Sequence, residues 1–97
     1  MHRANCFDFA NQVVMVGGAA GNLGRAVAEA FHTAGANLVL LDHSADRLPS
    51  LLPELADSSK HLFIDSVDAT DADSVGQAMR AALDRYGRID VLANTIG

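Results

Sequence analysis

The chain has a single cysteine, Cys6, which excludes an internal disulfide, and its histidines and cysteine show no zinc-ligand spacing. A reducing cytoplasm is therefore the simplest setting, and no metal site is expected. Basic residues are few, seven against twelve acidic ones for a net charge of -5, and they are scattered instead of gathered into a stripe. Nucleic acid is not an expected partner for such a surface. Long hydrophobic runs are missing too: no stretch can span a bilayer, and the opening residues Met1 to Cys6 lead into polar and aromatic positions without the apolar stretch of a signal peptide. Low-complexity runs, linker-like stretches and internal repeats beyond a β-α unit are also lacking. What remains is 97 residues, 49% apolar, which read as one globular α/β domain, 1–97, with 1–11 as a polar lead-in.

The order of elements comes from hydrophobic periodicity. Val13-Val14-Met15-Val16 is an uninterrupted apolar run ending on Gly17-Gly18, as a strand buried on both faces should be. From Asn22 the spacing turns helical, with Leu23, Val27, Ala30, Phe31 and Ala34 on one face and Gly35 as the stop. Leu38 to Leu41 is a second buried strand ending on Asp42. Ser44 is placed to cap a helix with Leu48, Leu51, Leu52 and Leu55 on its apolar face, which Pro53 kinks or ends. Leu62-Phe63-Ile64 is a short third strand. Thr70-Asp71-Ala72-Asp73 has the form of a capping box, followed by Val75, Ala78, Met79, Ala82, Leu83 and Tyr86 at helical spacing and by Gly87. Ile89 to Ala93 is the fourth strand. Strands alternating with helices predict parallel pairing through right-handed crossovers, hence a doubly wound sheet with helices on both faces. Ligands of such sheets sit at the carboxyl ends of the strands where the winding reverses, here between strands one and four.

That place holds the glycine-rich segment Gly17-Gly18-Ala19-Ala20-Gly21-Asn22-Leu23-Gly24, between a predicted strand and a predicted helix. Glycines permit a tight turn and close approach of a pyrophosphate, while the amide groups and positive dipole end of the helix attract the anion. Asp42 ends the next strand eighteen residues beyond Gly24, near the distance at which a carboxylate reaches the adenosine ribose hydroxyls. A P-loop is excluded, since Gly24-Arg25-Ala26 stands where Gly-Lys-Ser/Thr is needed. Two other readings stay open: a non-enzymatic nucleotide-binding module, and a fragment of a class I methyltransferase binding S-adenosylmethionine.

Taken together these residues resemble the short-chain dehydrogenase/reductase family, whose glycine motif is Thr-Gly-x-x-x-Gly-x-Gly. Gly18 and Gly24 match its first and last glycines, Gly17 stands for the threonine and Asn22 for the middle glycine. Asparagine tolerates a positive φ better than other side chains, but Gly17 offers no hydroxyl. Asp68-Ala69 fits the Asp and small residue that contact the adenine, with Asp65 a competing candidate, and Asn94-Thr95-Ile96-Gly97 matches the outer residues of Asn-Asn-Ala-Gly. Thr95 and Ile96 depart from that motif and are expected to crowd the cofactor ribose. The resemblance implies a Rossmann-type sheet of order 3-2-1-4, truncated after the fourth strand, and cofactor contacts from Gly18, Ala20, Gly21, Asn22, Leu23, Gly24, Asp42, Asp68, Ala69, Asn94 and Gly97. NAD is expected over NADP because Asp42 repels a 2′-phosphate, and Gly21 and His43 stand where NADP-using relatives carry a base. The implied full-length activity is hydride transfer between nicotinamide and an alcohol or ketone by a homo-oligomer. Its serine and Tyr-x-x-x-Lys are not among these 97 residues, so the chain alone is expected to bind and not to catalyse.

Other residues have ordinary readings. Tyr86, the only tyrosine, is followed four places on by Asp90 and lies in register with the helix core. His2, His32, His43 and His61 are dispersed, without a nearby acid at catalytic spacing, and read as surface imidazoles, with His43 beside the expected ribose. Asp65, Asp68, Asp71 and Asp73 fit loop and cap positions better than a calcium loop. Arg25 is placed either to meet a phosphate or to be a solvated helix charge.

Overall fold

The two continuous apolar runs become the central strands, β1 (Val13–Gly17) and β2 (Asn37–Leu41), buried along almost their whole length. The computed structural model describes residues 9–42, 55, 60–64, 67–68 and 71–95. It adds β3 (Leu62–Ile64) and β4 (Val91–Asn94) to form one sheet of order β3-β2-β1-β4. All three pairings are parallel, as the alternating elements predict. β1 is the hinge of the register: Gly17 lies opposite Leu41 on one side and Asn94 on the other.

Alternate residues of the strands feed two separate cores, which is why neither run shows a polar side. Val14, Val16, Leu38 and Leu40 pack with Ala28 and Leu55, while Val13, Met15, Val39 and Leu41 pack with Val67, Ala78 and Ala82. Ala28 belongs to α1 (Asn22–Thr33), and Ala78 and Ala82 to α2 (Ala72–Tyr86), so the two helices cover opposite faces of the sheet. The helix expected from Ser44 onward lies outside the described residues apart from Leu55, which is fully buried.

The structure departs from the sequence reading at one strand, one helix cap and two helix faces. The fourth strand begins at Val91 and includes Asn94, because Asp90 meets β1 with a side chain as well as its backbone. Its N–H donates to the Val13 carbonyl at 2.8 Å, and its Oδ2 accepts the Val13 N–H at 2.8 Å. The cap of α2 is Asp71, not Thr70: its Oδ1 accepts the Asp73 N–H at 3.0 Å, so the acidic residue itself satisfies the orphan donor. The buried stripe of α1 is rotated from the expected one. Gly24 and Ala28 are buried with Val27 and Phe31 partly so, whereas Leu23 is 64% exposed and Ala30 is also outside. A bulky residue cannot occupy the stripe where α1 meets the glycine turn, as the geometry of Gly24 makes plain below. On α2 likewise the small Ala78 and Ala82 are buried, while Met79 and Leu83 of the expected face are exposed.

Candidate functional site

At the carboxyl end of β1 the chain reverses within four residues. Gly18 takes φ 77°, a left-handed conformation that side chains resist, and its carbonyl accepts the Gly21 N–H at 3.1 Å. α1 then packs directly on this turn. A Cβ on Gly24 would stand 2.0 Å from the Gly18 oxygen and 2.7 Å from its carbonyl carbon, so only glycine permits the approach. Asn22, the substituted middle glycine of the motif, is simply the first residue of α1, and the one non-glycine residue with positive φ among those described is Asn11. The tolerance of asparagine for positive φ is therefore not what admits it here. Its Oδ1 instead accepts from the Arg25 guanidinium at 2.8 Å, turning Arg25 toward its own helix.

The N-terminus of α1 is capped by Gly21, which has no side chain to offer, and the first turn holds no acidic residue. The amide groups that open any α-helix thus face the turn with the positive end of the helix dipole behind them. This is chemistry suited to an anion.

The end of β2 is tied into the same turn. Leu41 accepts at its carbonyl from the N–H groups of both Gly18 and Ala19, each at 3.0 Å, and Asp42 Oδ2 accepts the Ala20 N–H at 2.9 Å. On the other side, Thr95 donates its N–H to the Gly17 carbonyl at 3.1 Å and its hydroxyl to the same oxygen at 2.6 Å, with the Gly18 oxygen 3.3 Å away. Thr95 thus turns its hydroxyl back onto the carbonyls of the glycine turn. Gly17, Asp42 and Asn94 come together at the lip of one cavity, whose apolar wall includes Met15, Val67 and Met79.

Of the remaining candidates, Asp68 is exposed beyond β3 and held by its backbone: its N–H donates to Ser74 Oγ and its carbonyl accepts the Asp71 N–H, both at 3.0 Å. Ala69, Gly97, Ile96, Asp65 and His43 lie outside the described residues. The sheet thus brings Gly18, Ala20, Gly21, Asn22, Leu23, Gly24, Asp42 and Asn94 to one end, with Asp68 past the neighbouring strand.

The histidines correct the sequence reading most. His61 is 6% exposed, not a surface imidazole. The Leu38 N–H donates to its Nδ1 at 3.1 Å, which leaves the proton on Nε2, and this nitrogen stands 3.1 Å from Nδ1 of His32. Burial, and after it the positive potential of His32, Lys60 and Arg85, lowers the His61 pKa to about 4. Nothing in the periodicity around His61 signals this, because its partners lie on β2 and α1. Lys60 beside it donates to the Gly35 carbonyl at 2.8 Å, and the Tyr86 hydroxyl donates to the Lys60 carbonyl. Tyr86 is half-buried, and burial raises its pKa. Among the described residues no helix is long and apolar enough to cross a membrane.

Comparison with known proteins agrees with this architecture. The family model for short chain dehydrogenases matches residues 12–97. A short chain dehydrogenase/reductase of Colletotrichum higginsianum is 40% identical over 90 residues, covering 93% of this chain and 34% of the relative. A crystal structure described as a glucose/ribitol dehydrogenase of the same family from Brucella melitensis superposes with a TM-score of 0.82 at 38% identity, over 89% of this chain and 36% of that one. The 3-ketoacyl-(acyl-carrier-protein) reductase of Brucella melitensis, solved in complex with NADH, follows with a TM-score of 0.77 at 26% identity, over 88% of this chain and 34% of that one. The chain spans about a third of the length of these relatives. A match that runs from just before β1 to residue 97, together with close superposition on a solved structure of that family, makes the chain a member of the short-chain dehydrogenase family.

Proposed function

We propose that these residues form the dinucleotide-binding part of an oxidoreductase that transfers hydride between a nicotinamide cofactor and an alcohol or ketone. The observation that supports this best is the convergence at one point of an uncapped helix N-terminus and a carboxylate bonded to the same turn. In this reading the amides of Asn22, Leu23 and Gly24 hold the pyrophosphate, with Gly18, Ala20 and Gly21 shaping the turn. Asp42 accepts from the adenosine ribose hydroxyls, Asp68 and Ala69 border the adenine, and Asn94 and Gly97 border the second ribose. The bound nicotinamide supplies the hydride chemistry. The contribution of these residues is binding and orientation.

Asp42 also sets the cofactor preference. Beside a 2′-phosphate it would meet like charge and lose the bonds to a ribose hydroxyl, and both effects favour NAD over NADP. Fluorescence titration with NADH and NADPH is the test. NADH is expected to bind on the order of a hundredfold tighter, and Asp42→Ala to collapse that ratio. Equal affinities in the unaltered chain, or a ratio that survives Asp42→Ala, would overturn the assignment. No turnover with secondary alcohols is expected from the 97-residue chain itself.

A further inference from the structure

The glycine turn has two glycines in succession where it leaves β1, so its backbone is freer there than any other residue pair would make it. Each of its peptide planes is nonetheless held. The plane joining Gly17 to Gly18 gives its N–H to Leu41 and receives at its carbonyl both the N–H and the hydroxyl of Thr95. The plane joining Gly18 to Ala19 gives its N–H to Leu41 as well, and its carbonyl accepts the Gly21 N–H with the Thr95 hydroxyl 3.3 Å away. The next plane gives its N–H to Asp42 Oδ2. Restraint from the β2 side thus falls on donors and restraint from the β4 side on acceptors. Thr95 is the one side chain in this set that acts from β4.

We infer that Thr95 is a positioning residue for the dinucleotide site, bracing from β4 the glycine turn that Gly17 has no side chain to brace. The inference rests on the cofactor reading given above. The hydroxyl has one proton, and its short bond to the Gly17 oxygen fixes the tilt of the first peptide plane. That tilt fixes the second plane, whose oxygen is the surface on which Gly24 and α1 sit. The direction of the α1 amides therefore depends on a hydroxyl that does not itself touch the anion. A serine at this position keeps the bond; a valine keeps the shape and loses it.

The experiment compares the 97-residue chain with Thr95→Val and Thr95→Ser by amide hydrogen exchange and by NADH titration. Thr95→Val is expected to raise exchange at Gly18, Ala19, Ala20 and Gly21 several-fold while Leu40 and Ala82 stay at their starting rates. NADH should bind about three- to tenfold more weakly, the size expected for one lost hydrogen bond, and Thr95→Ser should restore both readouts. Exchange in the turn unchanged by Thr95→Val would overturn the inference. So would faster exchange spread evenly through Leu40 and Ala82 and shared by Thr95→Ser, which marks a general packing role. If the unaltered chain does not bind NADH, the cofactor reading fails, and the exchange comparison still decides whether Thr95 braces the turn.

Discussion

At the residue scale two glycines have opposite characters. Gly24 admits no side chain, because the atom a Cβ would strike is a backbone oxygen that cannot swing aside. Gly24→Ala is expected to cost at least about 2 kcal/mol, at the upper part of the range for overpacking, read as a lower urea midpoint. Gly76 sits inside α2 with nothing within 4 Å of its would-be Cβ, and there alanine should stabilise by about 0.5–1 kcal/mol through helix propensity alone. Finding both variants destabilised would show that α2 is held in a way this geometry lacks. His61 adds a pH dependence. Its folded pKa of about 4 lies below the unfolded value of 6.5, so the unfolded chain binds the extra proton. Stability from this group is complete above pH 6.5 and is lost as pH falls toward 4, by up to about 3 kcal/mol at the far end. Urea midpoints between pH 7.5 and 4.5 check it, and His61→Gln should flatten the part of the slope that belongs to this ring. An unchanged slope would refute the assignment.

At the scale of the element, α2 shows how a helix start is chosen. Asp71 caps it through Oδ1, and Asp73 in its first turn complements the dipole. Asp71→Ala should lower stability by about 1 kcal/mol, and Asp71→Asn should recover most of it. Equal loss in the two variants would mean that the charge matters and the bond does not. The elements themselves were legible because their signals are local: buried strands announce themselves by unbroken apolar runs, and helices by spacing and a glycine stop. The glycine turn, Asp42 and Asn94 were legible for a related reason, since each closes a strand and strand ends in a doubly wound sheet converge. What stayed hidden is what one element does to another. The rotated stripe of α1 follows from the closeness of Gly24 to Gly18, the burial of His61 from partners on β2 and α1, and the direction of the Thr95 hydroxyl from the register between β1 and β4.

At the scale of the whole molecule, the described residues form a sheet that ends in β3 on one side and in β4 on the other. Among the described residues β4 pairs along one edge only, with β1, and Leu92 on that strand is 59% exposed, with Met79 and Leu83 of α2 exposed as well. An apolar strand edge is a template for another strand. The 97-residue chain should therefore associate with further copies of itself as concentration rises, and Leu92→Lys should weaken that association. Sedimentation across a hundredfold range of concentration is the measurement, and a single monomeric species throughout would contradict the prediction.

The pairing of β1 with β4 has a consequence in time. Asp90 bonds to Val13 across 77 positions of the chain, and Thr95 to Gly17 across 78. During synthesis the glycine turn leaves the ribosome first, and its bracing strand follows only after the whole of that separation. Closing so long a loop is paid in chain entropy before any contact rewards it. A ligand that engages only the braced turn adds its binding free energy to that closure, in proportion to the logarithm of its concentration. On the cofactor reading proposed above, dinucleotide supply and the closing of this strand pairing are one coupled equilibrium.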